Sequence, residues 1–205
     1  MNSTRLLGTV LALGMALGAP LVQALPTSGH SERLLSEDVG FKGTPALTVT
    51  SPAFKDGGHI PYENTQYRGN IFPGLAWTRG PAGTRSYVVI FQGLETEGNH
   101  AGGTVIAMTV FNIPAAVTKL DAGMTAAPAG ALLGPNVRGP NKPYAGPHVK
   151  VPGQHSYFIQ VFALDSVLPS DPETTYEQLA AAMKGHVVAG GVLHAKSDKD
   201  PDSKE

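Results

Sequence analysis

The sequence predicts a mainly β domain, mostly antiparallel, with one late helix and long Gly/Pro loops, and three observations predict it. Residues Ser86–Phe91, Val105–Pro114 and Ser156–Leu164 are near-continuous runs of β-favouring side chains, the pattern of strands covered on both faces. The 205 residues include 25 Gly and 17 Pro, which cut the chain into short elements and argue against long helical bundles. Helical spacing with flanking cap signals appears late, over Tyr176–Met183, after Thr174 or Thr175 as cap and before Gly185 as terminator.

Taken in order, residues 1–24 read as a signal peptide. Arg5 supplies the positive start, Leu6–Leu21 the apolar run, and Val22-Gln23-Ala24 the small residues before a cut after Ala24. The run is shorter than the ~20 apolar residues of a spanning helix, so no transmembrane segment is expected in the mature chain. The expected location is periplasmic or secreted. Residues 25–43 form a polar, Gly-dotted leader arm with one helical turn near Ser31–Glu37. The domain proper is assigned to residues 44–195. Leu47–Thr50 is a strand stopped by Ser51-Pro52, Lys55–Gly58 a turn, Gly74–Trp77 a strand and Arg79–Thr84 a turn. Residues 122–153 make a Gly/Pro/Ala-rich excursion too long for an ordinary connector. Val187–Leu193 reads equally as a closing helical turn or a strand, because of Gly190 and Gly191. Residues 196–205 read as a solvated, disordered polar tail.

Composition removes several function classes. Lys and Arg total 15 against 16 Asp and Glu, a net charge of −1, so there is no basic surplus for nucleic-acid binding. With no cysteine, disulfides, thiolate metal sites and Cys nucleophiles are excluded. None of the seven histidines stands two to four residues from another, and neither a Gly-x-Ser-x-Gly elbow nor a Walker loop occurs. No metal and no cofactor is therefore expected.

One stretch combines chemistry with position. Tyr144-Ala145-Gly146-Pro147-His148 is a Pro/Gly loop leading to His155-Ser156-Tyr157 at a strand start. His155 and Tyr157 share a strand face, and a loop exposing backbone N–H groups above them would make a small-anion pocket. The same residues also suit a packed Tyr157 and a strand-end hydrogen bond from His155.

The run Leu47–Pro61 resembles the opening of bacterial members of the phosphatidylethanolamine-binding protein family, the Raf-kinase-inhibitor-like proteins. Further blocks agree in order: Phe72–Trp77, Pro81–Ser86, Phe111–Ala115, Tyr144–Pro147, His155–Phe158 and Ala182–Ala189. The resemblance spans Leu47 to Leu193. It implies two packed sheets, one large and antiparallel, with one or two C-terminal helices and an end pocket for phosphate-like anions such as a phospholipid head group.

Of the family's pocket motifs, Gly146-Pro147 and His155-x-Tyr157 survive in part. The Asp-Pro-Asp is replaced by Gly93-Leu94-Glu95, the His-Trp by Ala107-Met108, and a Thr-Cys-Asp-Gly segment by Thr65-Gln66-Tyr67-Arg68. The ligand-binding candidates are thus His155, Tyr157, Tyr144, Gly146, Pro147, His148 and Glu95, with Glu95 re-entering from a shifted register and Arg68 and His148 restoring lost positive charge. Three functions remain open: a non-enzymatic binding protein for a small anion or head group, an inhibitor or interaction module for an envelope protein such as a protease, and an enzyme using His155 and Tyr157 as an acid–base pair.

Overall fold

The computed structural model describes residues 30–40, 46–94, 102–169 and 171–204. The expected signal peptide and Glu95 lie outside these residues, as do parts of the leader arm. In chain order the elements are β1 (His30–Ser31), α1 (Leu35–Asp38), β2 (Val49–Thr50), β3 (Gly58–His59), β4 (Leu75–Trp77), β5 (Ser86–Leu94), β6 (Thr104–Pro114), β7 (Lys119–Leu120), β8 (Leu132–Leu133), β9 (His155–Leu164), α2 (Tyr176–Met183) and β10 (Val187–Ser197). A 3-10 turn covers Tyr62–Asn64.

The large sheet has seven strands in the order β1-β6-β5-β9-β10-β3, with β8 also paired to β6. Its ladders are antiparallel except for β3 beside β10. A three-stranded antiparallel sheet, β2-β4-β7, packs on one face. On β5, Tyr87, Val89 and Phe91 enter the core shared with Val49, Leu75, Trp77 and Leu120 of the small sheet. Val88 and Ile90 point the other way, into a second core with Leu35 of α1 and Leu179 and Met183 of α2. Both faces of the central strands are thus dry, which is why their sequences are apolar without strict alternation. Each fully buried large side chain contributes about 1.5–3 kcal/mol of transfer free energy.

The helix forms as its sequence implies. Thr175 accepts from the Gln178 N–H while the Gln178 side chain accepts from the Thr175 N–H, a reciprocal capping box. Gly185, at φ +81°, takes the left-handed conformation that ends it. The ambiguous segment after it is a strand, β10. Gly191 lies where the Leu47 backbone crosses the sheet, and a Cβ there would collide with the Leu47 carbonyl.

Three segments are better ordered than their composition suggests. Leu35 of the arm is fully buried, and the Leu35 and Ser36 N–H groups donate to Gln92 Oε1 and Gln160 Oε1, each at 2.9 Å. These sheet glutamines serve the orphan donors that α1 cannot cap itself. Gln160 in turn donates to Gln92 (2.6 Å), and Gln92 to Thr104 (2.9 Å). Within the long excursion, β8 pairs with β6, and buried Asn136 donates to the carbonyls of Lys142 and Pro143. The C-terminal tail, expected to be solvated, folds back instead: Asp200 is 2% exposed and is paired with Arg68.

Candidate functional site

The loop Tyr144–Val149 meets the start of β9 at one end of the large sheet. The Tyr144 hydroxyl donates to the Asn64 carbonyl at 2.8 Å, and its ring packs against Phe72 and Phe91 at centroid separations of 5.5 and 5.6 Å. Burial first, and the neighbouring Tyr157 second, push the Tyr144 phenol well above its ordinary pKa. Tyr157 is 5% exposed, stands edge-on to Phe91 at 6.0 Å, and lies across Gly93. A side chain at position 93 would occupy the Tyr157 ring, so the glycine standing in place of the family's Asp-Pro-Asp is what lets the ring lie down. Ala107, in place of the family's histidine, is buried in the same core. Phe91, Tyr144 and Tyr157 therefore pack as one aromatic group where the resemblance implies a polar pocket interior.

His155 begins β9 on the face it shares with Tyr157, 9% exposed and registered opposite Ser197 of β10. Gly146 and Pro147 are stitched to the segment before the loop. The Gly146 N–H donates to Asn70 Oδ1 (2.7 Å), its carbonyl accepts from Gln66 Nε2 (2.7 Å), and the Pro147 carbonyl accepts from the Gln66 N–H (3.0 Å). The Gly146 N–H, expected to face an anion, is thus consumed by Asn70, because a buried loop must satisfy its own donors.

Beyond this stitched loop the character changes. His148 stands edge-on to Tyr67 at 5.0 Å, and the Tyr67 hydroxyl donates to the Val149 carbonyl. Tyr67, His148, Lys150 and Lys199 line a cleft of about 430 Å³. Neither Lys150 nor Lys199 has an ion-pair partner among the described residues. A larger hollow of about 760 Å³ lies along Ala116–Pro128, but there Lys119 is paired with Asp121 at 2.9 Å. Among the described residues no group of three or more His, Asp or Glu side chains could hold a metal ion, and no helix is long and apolar enough to cross a membrane.

The sequence reading singled out His148 and Arg68 as replacement charges, and the structure separates them. His148 lines the cleft. Arg68 is bound to Asp200 by Nε at 2.6 Å and Nη2 at 3.0 Å, and to Asp202 at 3.0 Å, so its charge is already compensated. Tyr67, Lys150 and Lys199 were not among the sequence candidates. The one sequence signal near them was the replacement of the family's segment by Thr65–Arg68; nothing local connects Lys199 to it.

The fold and this end site define a class: a two-sheet β scaffold carrying a loop-built, cationic mouth at one end. The chain belongs to the phosphatidylethanolamine-binding protein family, whose profile matches residues 50–197. It is 32% identical to a UPF0098 protein of Chlamydia pneumoniae over 155 residues, 75% of this chain and 99% of that one. A UPF0098 protein of Methanothermobacter thermautotrophicus is 33% identical over 150 residues, covering 72% and 95% of the two chains. Among solved structures, a phosphatidylethanolamine-binding protein homologue from Chlamydia trachomatis superposes with a TM-score of 0.67 at 30% identity, covering 77% of this chain and 100% of that one. Escherichia coli YbcL shares the fold, with a TM-score of 0.66 at 24% identity over 75% of this chain and 99% of that one.

Proposed function

We propose that the chain acts as an exported, non-enzymatic binding protein whose ligand is a small phosphoryl anion, free or as a phospholipid head group. The observation that carries this reading is the cleft lined by Tyr67, His148, Lys150 and Lys199, whose two ammonium groups have no ion-pair partner among the described residues. Lysine presents a compact charge with three donors, well matched to a phosphoryl group. The Tyr67 and His148 rings offer a flat wall for the organic part of a head group. Binding is favoured over acid–base catalysis because Tyr157 is packed on Gly93 and the loop N–H of Gly146 is already spent. Export rests on the basic, apolar and small-residue pattern of residues 1–24.

The test is a proton–nitrogen NMR titration of the chain from Leu25 with inorganic phosphate, glycerophosphoethanolamine and acetate. Saturable shifts at Tyr67, His148, Lys150 and Lys199 with the two phosphoryl ligands, and weaker ones with acetate, are expected. Tighter binding of glycerophosphoethanolamine identifies a head group; equal binding identifies the phosphoryl group alone. Silence at millimolar phosphate in all four residues would end the reading.

A further inference from the structure

Lys199 sits in a tail that composition alone would leave in solvent, yet it faces the cleft. The sheet delivers the chain only as far as Ser197, through the parallel pairing of Lys196 with His59 and the Ile60 N–H bound to the Lys196 carbonyl at 2.8 Å. After Ser197 the backbone is held by side chains. Asp198 Oδ1 accepts from the Tyr62 hydroxyl at 2.8 Å and lies 2.8 Å from His59 Nε2. Asp200 receives the two-pronged Arg68 guanidinium, which also lies 5.1 Å from the centre of the Tyr62 ring. Lys199 is thus the one residue between two anchored aspartates.

The pairing has a second consequence. Tyr67 and Arg68 are neighbours in sequence, as are Lys199 and Asp200. Tyr67 and Lys199 line the cleft, while Arg68 and Asp200 bind each other beside it. One ion pair therefore joins two dipeptides and fixes the separation of the two cleft walls. The planar fork of arginine on a carboxylate makes that separation specific, which a single-point contact does not.

We propose that residues 198–202 are a strap that makes the C-terminus part of the binding site, with Lys199 contacting the phosphoryl ligand and the Arg68–Asp200 pair positioning it. This rests on the anion-binding reading above and deepens it. Arg68 is a positioning residue: its own charge is neutralised by Asp200 and Asp202, and it acts through Lys199 and Tyr67.

The experiment titrates inorganic phosphate into the chain from Leu25 carrying Lys199→Ala, Arg68→Ala, Arg68→Lys, Asp200→Asn or the Arg68→Ala/Lys199→Ala pair. Loss of one charged contact weakens phosphate binding about tenfold in Lys199→Ala, and loss of its positioning does the same in Arg68→Ala and Asp200→Asn. Arg68→Lys recovers part of the affinity, since lysine keeps the charge and loses the fork. The double variant binds within about twofold of Lys199→Ala alone, because both changes remove one coupled contact. Asp200→Asn changes shape least and keeps the test available should Arg68→Ala unfold. Wild-type affinity in both Arg68→Ala and Asp200→Asn, beside a weakened Lys199→Ala, overturns the strap and leaves the cleft standing. Independent, multiplying losses in the double variant also overturn it. A wild-type chain that gives no saturable shift fails at the earlier step and overturns the cleft and the strap together.

Discussion

Two regions on either side of the Gly146-Pro147 loop use similar residue types for opposite ends. Inside it, Phe91, Tyr144 and Tyr157 pack together, buried, and Gly93 makes room for the Tyr157 ring. Outside it, Tyr67 and His148 also meet edge to edge, but beside them stand two lysines with no ion-pair partner among the described residues. The difference is one of compensation. A tyrosine that is almost wholly buried contributes to stability, whereas an uncompensated charge at a cleft is free to meet a ligand. The residues retained from the family's motif fall mainly on the first side.

The comparison can be broken most forcefully at Tyr157. Tyr157→Ala leaves a void beside Phe91 and Gly93, and should cost about 3–5 kcal/mol in urea unfolding, with phosphate affinity of the folded fraction unchanged. A stable variant that no longer binds would transfer the ligand site to the interior. Gly93→Ala pushes a methyl group into the Tyr157 ring and should cost about 1–3 kcal/mol by the same measurement. On the other side, Lys150→Ala should weaken phosphate binding by about tenfold while moving unfolding free energy by less than about 0.5 kcal/mol. If it changes stability and spares binding, the two regions are not divided as described.

The smallest effect is a pH dependence of the strap. The bond from Arg68 holds the Asp200 carboxyl below its ordinary value. Burial pushes Asp198 up, but its bonds to His59 and Tyr62 outweigh that, leaving it lowered as well. The phenol of Tyr62 is pushed up to about 12, first by its bond to Asp198. For a depressed carboxyl, the stabilisation is complete above the unfolded value near 3.8 and is lost as pH falls through the lower folded value. The Lys199 amide resonance should therefore stay fixed from neutral pH down to about 5 and move below about 4, with the Asp200 part of the transition lost in Asp200→Asn and the Asp198 part kept. A shift that begins at pH 6 would point to a group other than these carboxyls.

The large sheet was legible because its signals are local. The apolar runs of β5, β6 and β9 announced strands covered on both faces, and the Thr175–Gly185 punctuation announced α2. The arm was less legible because α1 spans one turn and takes its caps from Gln92 and Gln160, far along the chain. Gly190 and Gly191 left their segment ambiguous between a helical turn and a strand, and the crossing of Leu47 explains the missing side chain at Gly191. Of the candidate site, Tyr144, Gly146, Pro147, His148, His155 and Tyr157 were named from sequence, and the structure gathers them at one end of the sheet. Their division into buried and available groups was not readable.

By itself the sequence determined the β-rich character, the late helix, the exclusion of cysteine chemistry and the family, since each depends on composition, periodicity or motifs written along the chain. Tertiary structure alone decided that Tyr157 covers Gly93, that Asn70 takes the Gly146 N–H, and that Lys199 joins Lys150 in one cleft. The physical reason is range. Backbone conformation answers to near neighbours, whereas the fate of a charge or a phenol depends on partners such as Arg68 and Asp200, which only the folded chain brings within hydrogen-bond reach.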